Sequence, residues 1–233
     1  MRGIHEINWK VITVLYPLNL DLTDKVCVVI GGGQVAGRKV KDLLAAGAKV
    51  TIIAPKLSEG LQKLALSGQL NWQKSDYHPG MLLHLQPLLV FCTANDKIAN
   101  LTAIAEAKEI GALVNAATAP ERTDFSVPSK VARGDMLLTV STGGGSPAFS
   151  KLLRERLELE YPEAFGEFLE RLAVLRQEVK GKPGGSREHE RLWRQALTQR
   201  VIDLVRAGQL DQAEEEVRNG IIDAGTQPQD GTR

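Results

Sequence analysis

The residues whose spacing most clearly implies chemistry are Gly31-Gly32-Gly33-Gln34-Val35-Ala36. They match G-x-G-x-x-G/A, with Ala36 in the last place. In that pattern Gly31 allows a tight turn, Gly33 lets the backbone approach a pyrophosphate, and a small residue at 36 lets the following helix pack close to a sheet. The helix then starts with free amide groups and the positive end of its dipole, which favours a bound anion. The motif alone is common, and a tight turn without a ligand would also satisfy it. Its context points to a dinucleotide: the apolar run KVCVVI (25–30) precedes it and an amphipathic stretch follows.

A second strand, KVTII (49–53), ends at Ala54-Pro55-Lys56. A carboxylate there would bind both hydroxyls of an adenosine ribose, and none is present. Contact with the ribose then falls to the backbone of Ala54–Lys56. Lys56 reads either as a partner for a 2′-phosphate or as a solvated surface lysine. The exit of the strand within 87–93 supplies Thr93, Ala94, Asn95 and Asp96, where a parallel sheet places its ligand crevice.

Other reactive residue types form no pattern. His5, His78, His84 and His189 lack metal-ligand spacing on one helix, so no resident metal is expected. Ser126, Ser141, Ser146 and Ser150 lie outside any G-x-S-x-G elbow. Cys27 and Cys92 sit within apolar runs and read as buried, reduced thiols, as in a reducing cytoplasm.

The elements that position these groups follow from periodicity. Strands are expected at 25–30, 49–53, 70–73, 87–93 and 113–115, with helices at 34–46, 57–66 and 97–110 between them. This alternation implies a Rossmann-like, doubly wound α/β domain with a parallel sheet. Beyond Thr118 come expected strands at 125–127 and 136–141, then the glycine-rich loop STGGGSP. Helical sequence follows over 148–179, broken near Tyr161-Pro162. KGKPGGSRE (180–188) reads as a linker, and helices are expected at 190–206 and 210–219.

Composition excludes several classes. The chain has 233 residues, 43% hydrophobic and 24% charged, with a net charge of +1, so neither whole-chain disorder nor a global field toward nucleic acid is implied. No apolar run reaches the ~18 residues of a membrane span. The start lacks a signal-peptide pattern. Residues 1–13 and the polar tail 224–233 are expected to be disordered.

Four stretches together carry a family resemblance: residues 16–40, VTIIAP (50–55), the Asn115 strand end, and DFSVPSKVARGDMLLTVSTGGGSPAFSKLLRERLE (124–158). Over about residues 14–175 the chain resembles the precorrin-2 dehydrogenases, some of which are also sirohydrochlorin ferrochelatases and one form of which makes the N-terminal half of fused siroheme synthase. The resemblance implies NAD-dependent oxidation of precorrin-2 to sirohydrochlorin in siroheme biosynthesis, with ferrous iron as a further substrate where iron insertion is retained. It implies a cytoplasmic homodimer with three parts: an NAD-binding domain over 14–118, a dimerisation segment over 119–160, and a helical C-terminal domain over 161–223.

The resemblance also suggests site residues. Gln34, Val35, Pro55 and Lys56 fall on NAD-contacting positions, beside Gly31, Gly33, Ala54, Thr93 and Ala94 from the motif and the crevice. Asn115, Thr142, Gly143, Gly144 and Ser146 are expected at the substrate, with Arg122, Lys130, Arg133 and Lys151 as candidate partners for its carboxylates. One position departs from the family. The aspartate expected three residues after Asn115 is Thr118, which cannot accept a proton as a carboxylate does. Asp124 is then the candidate catalytic residue, with Asp96 as the other carboxylate that could substitute, unless hydride transfer needs no strong base or the activity is reduced. A catalytically reduced NAD-binding regulator or a tetrapyrrole-binding protein is the alternative reading.

Overall fold

The computed structural model describes residues 15–180 and 185–226 and divides into a first unit ending at Val127 and a second beginning at Pro128. The expectation of disorder at 1–13 lies outside the described residues, as does that for 227–233.

In the first unit, β1 (Val26–Ile30), β2 (Lys49–Ile53), β3 (Asn71–Gln73), β4 (Leu89–Cys92) and β5 (Leu113–Ala116) form one sheet in the order β3-β2-β1-β4-β5, parallel throughout. This is the expected Rossmann-like architecture. The order reverses between β1 and β4, which opens a crevice at the carboxyl ends of those strands. Each central strand is apolar on both faces because helices cover both. Cys27, Val29, Ile52 and Phe91 pack under α1 (Gln34–Ala45) and α2 (Glu59–Leu66). Val28, Ile30, Val90, Cys92 and Val114 pack on the opposite face, under α3 (Met81–Leu85) and α4 (Lys97–Glu109). Cys27 and Cys92 thus lie in separate layers as free thiols, and burial pushes them up to about 11 and about 12. Both stay protonated and inert at neutral pH.

Helix α3 was not expected, since its five residues are too few to show a period. The expected strand at 125–127 is absent, and the strand in this region is Ser129–Arg133 instead. After β5 the chain makes a short 3₁₀ turn (Pro120–Arg122) and returns along the β5 edge. There the Asp124 amide donates to the Val114 carbonyl (2.8 Å), the Val114 amide donates to the Asp124 carboxylate (3.0 Å), and the Ala116 amide donates to the Thr123 hydroxyl (2.9 Å). Side chains thereby replace a ladder and cover an edge that would otherwise be open to pairing. Phe125 anchors the return by an edge-on contact with Phe91, ring centroids 5.4 Å apart. Residues 119–127, expected with the dimerisation segment, therefore fold onto the sheet.

In the second unit β6 (Ser129–Arg133) pairs antiparallel with β7 (Met136–Val140) through Gly134-Asp135, with Gly134 at φ +56°. Helices α5 (Pro147–Glu160) and α6 (Ala164–Lys180) are separated at Tyr161-Pro162, as expected from the proline. The single helix expected over 190–206 is two, α7 (Ser186–Ala196) and α8 (Gln199–Arg206), because the chain turns extended at Leu197-Thr198. The last helix, α9 (Leu210–Thr226), outruns its expected end, and Ala224 is buried within it rather than disordered. Its apolar stripe, Ala213, Val217, Ile221 and Ala224, joins Leu175, Leu192, Ala196 and Val201 in one core. Gly220 permits the approach: a Cβ there would lie 2.8 Å from the Ala196 Cα.

Candidate active site

A cavity of about 560 Å³ opens at the carboxyl ends of β1, β2 and β4. Of the expected cofactor residues, Gly31, Gly33, Gln34, Ala54, Pro55, Lys56, Thr93 and Ala94 line it, and Val35 does not. Sequence reasoning missed Ser58, Asp76 and Tyr77, which also line it. The rule that ligands meet the loops following parallel strands could have found the last two, since they follow β3.

The glycines are needed for contact as well as for conformation. Gly31 has φ +109°, and a Cβ on it would lie 2.8 Å from the Ala94 nitrogen. A Cβ on Gly32 would lie 2.0 Å from the Lys56 carbonyl oxygen. That contact, with the Ser58 amide donating to the Gly32 carbonyl (2.8 Å), locks the glycine turn to the loop after β2. A Cβ on Gly33 would meet nothing within 4 Å, so its face is open to a ligand. Helix α1 starts there without a side-chain cap and without an acidic residue in its first turn. Its first amides are therefore available to an anion, as a pyrophosphate requires. These features suit a dinucleotide.

The β4 wall is set by Asn100, 1% exposed on α4. Its Oδ1 accepts from the Ala94 amide (3.2 Å), and its Nδ2 donates to the Ala94 carbonyl (2.8 Å) and to the Thr118 hydroxyl oxygen (3.2 Å). Nothing in the sequence marked this residue, because a lone asparagine among alanines on a helix has no motif. On the β3 side the Tyr77 hydroxyl donates to Glu106, which also accepts from the amides of Gly80 (2.9 Å), Leu82 (2.9 Å) and Leu83 (3.0 Å). Burial opposes the charge on Glu106, but these four donors outweigh it and hold the carboxyl below the usual carboxylate range.

The acidic candidates are engaged structurally. Asp124 bonds the start of β5 as described and lies 3.6 Å from the Lys108 ammonium. It is held at Val114, near the amino end of β5, whereas the cavity is at the carboxyl ends, so the carboxylate is not placed for chemistry in this crevice. Asp96 lines the cavity but caps α4, accepting from the amides of Ile98 (2.8 Å) and Ala99 (3.3 Å). Asn115 donates to the Phe125 carbonyl (2.8 Å), holding the return segment.

The remaining expected substrate residues belong to the second unit. Gly143 and Gly144, at φ +59° and +81°, turn the chain into α5. The Ser146 hydroxyl caps α5 by accepting from the Phe149 amide (3.2 Å), and the Thr142 hydroxyl meets the Ser150 hydroxyl at 3.0 Å. Arg133 donates to the Tyr161 carbonyl (2.8 Å), which makes it a packing residue. A larger cavity of about 730 Å³ in this unit is lined mainly by apolar groups such as Leu169, Leu172 and Trp193. Among the described residues its lining offers no phosphate-facing turn, and the first unit's crevice is the better candidate on chemical grounds.

Comparison with known proteins agrees with this geometry. Residues 18–129 match an NAD(P)-binding family model, and residues 164–221 match the sirohaem synthase dimerisation region. The chain is similar to siroheme synthases. It is 36% identical over 198 residues to a siroheme synthase of Nitrosococcus oceani, covering 85% of this chain and 42% of that protein. With a siroheme synthase of Photorhabdus laumondii it shares 32% over 201 residues, covering 86% and 42%. The chain thus spans about two-fifths of the length of these relatives. Among solved structures it superposes on SirC, precorrin-2 dehydrogenase, with TM-score 0.69 and 23% identity, over 88% of this chain and all of that one, a likeness of fold. The NAD(P)-binding match contains every residue lining the crevice. The dimerisation match falls on α6–α9, helices expected from the sequence to form the C-terminal domain.

Proposed function

We propose that the chain is an NAD-dependent precorrin-2 dehydrogenase that acts as a homodimer in the cytoplasm. The observation that carries this reading is the glycine-lined crevice at the β1/β4 switch point, in a chain that matches an NAD(P)-binding model and the sirohaem synthase dimerisation region. The reaction converts precorrin-2 and NAD to sirohydrochlorin, NADH and one proton. The nicotinamide supplies the hydride acceptor. The protein binds the pyrophosphate at the α1 amides, holds the β4 wall against the ring system through Asn100, and keeps the two reactants in register. A hydride donor held this way needs no strong base, and the proton can leave to water. NAD is favoured over NADP because, among the described residues, no arginine lines the crevice to receive a 2′-phosphate and Lys56 is the single cation there.

The test is anaerobic incubation of the pure chain with precorrin-2 and either NAD or NADP, followed at the NADH band and in the macrocycle spectrum. The expected result is stoichiometric NADH and sirohydrochlorin, with NAD preferred. Nucleotide binding without turnover would refute the dehydrogenase. Ferrous iron added afterwards measures iron insertion as a separate activity.

A further inference from the structure

The Asn100 cluster allows a deduction about position 118. A side-chain amide can be placed either way round, but here the backbone settles it. The Ala94 amide is a donor, so the atom facing it must be the Asn100 oxygen. The Asn100 nitrogen is therefore turned toward the Ala94 carbonyl and the Thr118 hydroxyl. Nitrogen can only donate, so the Thr118 oxygen accepts. Its own proton is left over, and among the described residues the Thr118 hydroxyl donates no hydrogen bond.

The hydroxyl is on an exposed residue just past the carboxyl end of β5. It is one side chain away from Ala94, which lines the crevice at its β4 wall. A hydroxyl in this place whose proton is free to donate suits an anionic acceptor on the molecule brought against the cofactor. We infer that Asn100 is a positioning residue that holds Thr118 as a hydrogen-bond donor to a carboxylate of the bound tetrapyrrole. The inference rests on the tetrapyrrole reading above. On this view position 118 contributes to binding and orientation and takes no proton during the reaction.

The experiment uses the full chain and measures two affinities: sirohydrochlorin by quenching of its fluorescence, and NADH by its own emission. Thr118→Val keeps the shape and removes the donor. It is expected to weaken sirohydrochlorin binding about tenfold, the loss of one bond to a charged group, with NADH affinity within about twofold of the parent. Thr118→Ser restores most of the loss. Asn100→Asp puts an acceptor where the donor was, so the Thr118 hydroxyl turns to donate to it and is lost as a donor to the ligand. If it folds, adding Thr118→Val to it costs no more than either change alone. Because a carboxylate buried at position 100 threatens folding, the Thr118 pair carries the decision.

Parent-like sirohydrochlorin binding by Thr118→Val overturns the inference, as does an equal loss of NADH affinity or a failure of Thr118→Ser to rescue. If the parent chain binds NADH but no sirohydrochlorin, the tetrapyrrole reading itself falls. A parent that binds both and a valine variant that also binds both sinks only the role of Thr118.

Discussion

Replacing Glu106 with glutamine changes one atom and tests the network beside the crevice. The carboxylate accepts four hydrogen bonds, from Tyr77 and from the Gly80, Leu82 and Leu83 amides. Glutamine has one acceptor oxygen. If that oxygen stays on Leu82 and Leu83, the new amide group faces the Gly80 donor, and that bond is lost. Tyr77 must then reverse from donor to acceptor. Three bonds survive as neutral ones, each weaker by roughly 1 kcal/mol, and one donor is left unpaired at about 1 kcal/mol or more. The sum is roughly 4 kcal/mol for a fully buried group. Glu106 is only partly buried, and screening brings the expected loss to about 2 kcal/mol. That corresponds to a fall in melting temperature of roughly 6 °C.

The pH dependence follows from the direction of the shift. Glu106 is held below its ordinary value of 4.5, so its contribution is complete above that pH and is lost as pH falls through the lowered value. Urea denaturation of parent and variant at pH 7 should differ by about 2 kcal/mol and converge in acid. Faster exchange of the Leu82 and Leu83 amides would locate the effect in α3. A difference under about 0.5 kcal/mol at pH 7, or a gap that persists in acid, refutes the reasoning.

Two further outcomes are expected. Gly32→Ala must push the loop after β2 away from a 2.0 Å overlap with the Lys56 carbonyl, breaking the Ser58–Gly32 hydrogen bond. NADH affinity measured by fluorescence should fall at least about tenfold, with a stability loss of about 2 kcal/mol. Asp124→Asn retains an acceptor for the Val114 amide, so NADH formation from precorrin-2 should stay within about twofold of the parent; a fall of a hundredfold would return Asp124 to catalysis.

Much of the first unit is legible in the sequence because its signals are local. Runs such as VCVVI are apolar throughout since both faces of β1 are covered, and the glycines at 31 and 32 announce a turn with no room for a side chain. Strand–helix alternation then leaves few topologies, and the loops after parallel strands follow from them. The resemblance to the precorrin-2 dehydrogenases is equally readable, from motifs contiguous in the chain.

What only the tertiary structure decided involves partners distant in sequence. Helix α3 exists because Glu106, more than twenty residues on, binds its amides. Phe125 and Asp124 look like strand and catalytic carboxylate in one dimension, yet their partners are Phe91 and Val114, and those contacts make them edge cover. Asn100 carries no motif, and its meaning lies in the two peptide atoms of Ala94 and one hydroxyl at 118. A hydrogen bond has direction, and direction is known only when both ends are placed. For that reason the sequence could report that position 118 is threonine, and only the folded chain could say which way its proton is free to point.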